Sequence, residues 1–218
     1  MSILVNVTVP DGIVMACDSR VTHYVGGVKK SYEDNACKYY YLQSWKVVIT
    51  YCGNASIGER SIASFLNDLE IEDLNKTDTV IDISNKLLAK IQKENVTKTI
   101  FYIGGYIGTE QYLYKIEELN LRRRNFGGPG HTLFYRYDCD SQSQYMNTNL
   151  KNGKNSPDFS KMSLKEAKGF AYNMIVYTYM EEQRQNENYC GGDVEIFSIQ
   201  RDEIAHTKES VTWMSNQS

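Results

Sequence analysis

Antiparallel hairpins interrupted by helices are the feature that most restricts how this chain can fold. Residues 2–8, "SILVNVT", alternate with Ile3, Val5 and Val7 on one face, and a turn at Pro10-Asp11-Gly12 leads into a second strand over 13–18. "CKYYYL" and "WKVVITYC" form a second hairpin about Gln43-Ser44. The period then changes from two to helical. Ala55 to Leu69 carries Ile57, Ile62, Phe65 and Leu69 at helix spacing, and Val80 to Ile91 repeats this with Ile83, Leu87, Leu88 and Ile91. Strands return at 99–107, 111–117 and 131–136. A third helix opens with a capping box, Ser163 and Glu166, and runs to about Glu182. "DVEIFSI" and "EIAHT" close the chain as a hairpin near Arg201-Asp202, while 22–35 and 138–160 read as loops. This order excludes a doubly wound parallel sheet and predicts an α+β chain with helices layered on antiparallel sheets. No repeat or linker divides it, so 1–218 reads as one domain.

Composition narrows the partners. A formal net charge of -3 favours neither nucleic acid nor an anionic membrane. "LRRR" at 121–124 is the one dense basic run, and it reads as a solvated face. No apolar run approaches a membrane span, and the start lacks the basic region of a signal peptide. Cys17, Cys37, Cys52, Cys139 and Cys190 are odd in number with no C-x-x-C pair, which indicates a reducing, cytoplasmic setting and no zinc site. His23, His131 and His206 show no metal-ligand spacing, "DCDSQS" lacks the glycine and terminal glutamate of a calcium loop, and no cofactor fingerprint appears.

The stretch "DGIVMACDSR" raises a sharper question, because Asp18, Ser19 and Arg20 put charge at the end of an otherwise buried strand. Together with "ACKYYYL", "VVITYCGNASIG", "TIFYIGGYI" and "YCGGDVEIFSI", in that order, it resembles the proteasome β-type subunits and their bacterial peptidase relatives. The resemblance spans nearly the whole chain. It implies the four-layer αββα sandwich of the N-terminal-nucleophile hydrolases. It also implies a peptide-bond hydrolase acting on peptides or unfolded proteins, assembly into a homo-oligomeric ring or stack, and an ATP-dependent unfoldase as a candidate partner.

Carried over residue by residue, the resemblance assigns Ser2 as nucleophile once Met1 is removed, with Asp18 orienting Lys38 beside it. A free α-amine has a reference pKa of about 7.7–8.0, so the nucleophilic residue can serve as its own base. The Lys38 ammonium favours the neutral amine and stabilises a developing alkoxide. Gly53 stands at the oxyanion-hole position, and substrate is expected to lie extended between Thr22 and Tyr51, with Tyr51 at the base of a shallow or polar side-chain pocket.

Several positions depart from the family pattern. Serine replaces threonine, and without the methyl that restricts χ1 its catalysis is expected to be slower. Glu187 replaces a supporting aspartate, and Cys190 a supporting serine. "GGPG" at 127–130 stands for a Gly-Ser-Gly turn, so Pro129 removes a hydroxyl that supports the α-amine. Two other functions use the same residues differently: an amidase acting on a small molecule, and a non-catalytic subunit that keeps the fold for assembly.

Overall fold

The computed structural model describes residues 2–25, 28–135, 157–184, 186 and 188–211. The first hairpin, β1 (Ile3–Val9) and β2 (Gly12–Asp18), forms as the sequence predicts. Both strands are buried at every position, because they sit inside a five-stranded antiparallel sheet. Its other members are β12 (Gly130–Tyr135), β13 (Val194–Ile199) and β14 (Ile204–Glu209), in the order β12-β1-β2-β13-β14. A second five-stranded antiparallel sheet runs β11-β10-β9-β6-β5. It comprises β5 (Tyr39–Leu42), β6 (Val47–Gly53), β9 (Thr99–Ile107), β10 (Glu110–Glu117) and β11 (Asn120–Arg123).

The alternation in β1 sorts its side chains between two cores. Ile3, Val5, Val7 and Val9 pack under the long helix α3 (Leu164–Arg184) with Ala167, Ala171 and Ile175. Leu4 points the other way and meets Val48, Cys52, Ile100 and Tyr102 of the second sheet. The outer face of that second sheet carries α1 (Ile62–Asp68) and α2 (Val80–Lys93) over Ile49, Tyr51, Phe101 and Ile103. Ser163 and Glu166 make the predicted capping box at the start of α3, worth about 1 kcal/mol.

Three expectations are corrected. The expected four-layer αββα sandwich gives way to a mostly β-sheet architecture of several sheets. Among the described residues one sheet carries a single helix, and the other carries one 7-residue and one 14-residue helix, so matched helical layers do not form. The expected loop at 22–35 is a two-stranded ribbon, β3 (Val21–Val25) with β4 (Val28–Glu33), whose polar, Lys-rich second strand hides its strand character. The helix expected from Ala55 starts at Ile62 instead. Gly58, at φ 59, turns a short hairpin of β7 (Ser56–Ile57) and β8 (Arg60–Ser61), and the Ser61 hydroxyl then caps α1 by accepting from Ser64 N. The end of the expected 131–136 strand and most of the expected 138–160 loop lie outside the described residues.

Candidate active site

Asp18 answers the question its position raises. It closes β2 fully buried, and its carboxylate gathers groups from four segments. Oδ1 accepts from Ile3 N at 3.0 Å and from Lys38 Nζ at 2.7 Å. Oδ2 accepts from Arg20 N and Gly191 N, each at 3.3 Å. The bond to Ile3 N ties down the start of β1 and with it Ser2, which is 5% exposed. Lys38, 3% exposed, precedes β5, and Tyr51 N donates to its carbonyl at 3.0 Å, which locks that segment against β6.

Ser2, Lys38, Gly53, Thr22 and Tyr51 all line one cleft of ≈ 990 Å³. Gly53 ends β6 at φ +106, and a Cβ there would collide with the Lys98 carbonyl, so the close approach of two backbones requires glycine. Tyr51 is buried, its hydroxyl donates to the Cys37 carbonyl at 2.7 Å, and burial raises its pKa above the ordinary phenol value. Its ring is therefore a fixed wall and not a movable acid. The Thr22 hydroxyl donates to Tyr189 O at 3.2 Å, which fastens the β3–β4 ribbon to the loop ahead of β13.

The other expected site residues fare differently. Cys190 is buried and faces a second cavity of ≈ 520 Å³, away from the lining of the main cleft. Burial, then the charges of Asp18 and Glu182, hold its thiol neutral well above the usual range. Glu187 lies outside the described residues. The 127–130 turn is corrected outright. Gly130 pairs with Thr8, at the far end of β1 from Ser2, and Gly130 N donates to the Thr8 hydroxyl at 3.1 Å. Six strand residues span about 20 Å, so Pro129 removes nothing from the Ser2 site.

Sequence reasoning passed over the scaffold behind Asp18. Glu182, 1% exposed near the end of α3, accepts from Tyr189 N and Cys190 N at 2.8 Å each. Tyr179, one turn earlier, donates to Gly191 O at 3.0 Å. Arg20 pairs with both carboxylate oxygens of Asp34 at 2.5 and 2.7 Å and stacks on Tyr32 at 3.9 Å. Side chains at Gly191 and Gly192 would collide with Arg20 and with Ser19 and Asp34, which explains the paired glycines of "CGGD". That dipeptide and Arg20 were the available signals. Glu182 had none, since a glutamate near a helix end reads as solvated.

Among the described residues no group of three or more His, Cys, Asp or Glu could hold a metal ion, and no helix is long and apolar enough to cross a membrane. Cys17, Cys37, Cys52 and Cys190 are free thiols.

No family model and no curated protein matches the sequence. Solved structures do share the fold. The Anbu (Gly-1) mutant from Hyphomicrobium sp. strain MC1 superposes with a TM-score of 0.71 at 16% identity, over 98% of this chain and 89% of that one. Anbu from the same strain in a C2 crystal gives 0.66 at 16% identity, over 97% and 89%. Anbu is a proteasome-like protein related to the N-terminal-nucleophile peptidases. These matches correct the family resemblance drawn from the sequence. Membership of the proteasome β-type family is not what the comparisons support, since no family model matches and the likeness to Anbu, at 16% identity, is one of fold.

Proposed function

We propose that this chain is an N-terminal-nucleophile hydrolase that cleaves peptide bonds with Ser2, once Ser2 carries a free α-amine. The observation that supports this most is the buried Lys38–Asp18 pair at 2.7 Å, whose carboxylate also fixes Ile3 N, the peptide next to Ser2. A buried ion pair is poor value as a stabilising device, because desolvation offsets its attraction. At the floor of a cleft shared with a small hydroxyl residue it has a chemical use.

In this reading the Ser2 amine takes the hydroxyl proton as Oγ attacks the substrate carbonyl. Lys38 lowers the cost of the developing alkoxide, and Asp18 keeps Lys38 aimed through its 2.7 Å contact. The Gly53 N–H stabilises the tetrahedral oxyanion. The amine then returns its proton to the departing peptide nitrogen, and water releases the acyl group from Ser2. Substrate lies extended between the Thr22 strand and the Tyr51–Gly53 segment. Cys190 and Glu182 act behind Asp18 as positioning residues and touch no substrate.

The test is intact mass and N-terminal sequencing of the purified protein before and after an electrophile that traps N-terminal nucleophiles. One equivalent of adduct on Ser2, absent from Ser2→Ala at unchanged stability, is the expected result. A chain beginning at Ser2 that takes no adduct, or peptide turnover that survives Ser2→Ala, rules the mechanism out.

A further inference from the structure

Strand β10 is joined to its neighbours by two-residue turns at both ends, and the two turns are built from opposite chemistry. At the β9 end Ile107 pairs with Glu110, and the turn uses Gly108 at φ +61. At the β11 end Glu117 pairs with Asn120, and the turn residues are Glu118 at φ 49 and Leu119 at φ 61. A hairpin turn with positive φ at both central positions favours Asn-Gly, because a side chain in that region crowds its own carbonyl. Here a glutamate and a leucine occupy it.

Both residues line the cleft that holds Ser2, Lys38 and Gly53. The turn is braced from outside, with Gln92 Nε2 donating to Leu119 O at 3.3 Å and Asn120 Nδ2 to Glu118 O at 2.8 Å. Leu119 is half-buried against the apolar cluster beneath α2. Glu118 is exposed, and among the described residues no ion pair holds its carboxylate, not even with Lys98 of the same lining. Backbone strain kept at a cleft wall, when glycine serves at the other end of the same strand, signals that the side chains matter there.

We propose that the Glu118–Leu119 turn is a substrate-reading wall. Leu119 offers an apolar contact to one side chain of an extended peptide, and Glu118 disfavours an acidic side chain at that position. The ligand class rests on the peptide-cleaving reading of the site, but binding can be measured without turnover.

The experiment measures fluorescence anisotropy of labelled peptides, varied one position at a time among leucine, lysine and glutamate. The Ser2→Ala protein serves as parent, alone or with Glu118→Asn/Leu119→Gly or Glu118→Gln. The double replacement is expected to raise the melting midpoint, as strain is relieved, while weakening the leucine peptide about tenfold. Glu118→Gln is expected to narrow the preference for leucine over glutamate about threefold while leaving the leucine peptide unchanged. Unchanged affinities and preferences in both variants overturn the proposal, as does a parent that binds none of the peptides. Adduct formation on Ser2 is scored separately in the unsubstituted protein. Peptide binding through the turn without an adduct keeps this inference and removes the proposed reaction; an adduct with no effect of the turn does the reverse.

Discussion

At the end of β2 Asp18 is fully buried, and four donors reach it. Elsewhere in the same two sheets Asn6 on β1 and Thr50 on β6 are equally buried, yet among the described residues neither the amide nor the hydroxyl has a partner. Both sit on the faces of their strands that carry Leu4, Val48 and Cys52 into the core between the sheets. Desolvating a polar group costs free energy that only hydrogen bonds return, and an orphaned one costs about 1–3 kcal/mol. Among the described residues Asp18 is therefore supplied with donors on both oxygens, while Asn6 and Thr50 between the sheets are not paired. Through Ile3 N and Lys38 Nζ, Asp18 ties the start of β1 to the segment ahead of β5.

The largest test of this contrast is Asp18→Ala. It removes the carboxylate that buried Lys38 and three backbone N–H groups reach, and should cost about 3–5 kcal/mol in urea denaturation, with loss of the proposed peptide hydrolysis. A loss below about 1 kcal/mol would mean that Lys38 escapes to water and that Asp18 is not the anchor. Next comes pH. Burial raises the Cys52 thiol, between the sheets, above its ordinary value of about 8.5. Above that pH the unfolded chain releases a proton the folded chain keeps. Stability should therefore fall as pH rises, by about 1.4 kcal/mol per unit for each such thiol. Cys52→Ala should remove one share of that slope between about pH 9 and 10.5, and an unchanged slope would assign the alkaline loss to other groups. The smallest effect is expected for Thr50→Val, an apolar replacement of an orphaned hydroxyl, which should be neutral or stabilise by up to about 1 kcal/mol. Destabilisation there would reveal that the hydroxyl has a partner, such as an internal water.

Much of this was legible in advance. Local signals carried the β1–β2 and β13–β14 hairpins and the cap of α3, because a turn type or a capping box is decided within a few residues. Asp18 and Lys38 were legible through a motif whose meaning depends on position, and the structure places their charged atoms 2.7 Å apart. Where the reading failed, the deciding neighbour was distant in sequence. Pro129 looked like a loss beside Ser2 until the β1–β12 register put its neighbour Gly130 opposite Thr8. Glu182 looked solvated until the Tyr189–Cys190 backbone folded over it. The turn at Glu118 and Leu119 drew no notice, because nothing local predicts positive φ for leucine.

By itself the sequence determined the antiparallel hairpins, the helical periods and the identity of the charged pair at the end of β2. Each depends on spacing along the chain or on a side chain's own chemistry. Only the tertiary structure decided which side chains share the cleft, how Asp18 is satisfied, and which faces of the two sheets the described helices cover. Those outcomes depend on register and packing between segments as far apart as Asp18 and Gly191, where a hydrogen bond forms only after the sheet has brought its partners together.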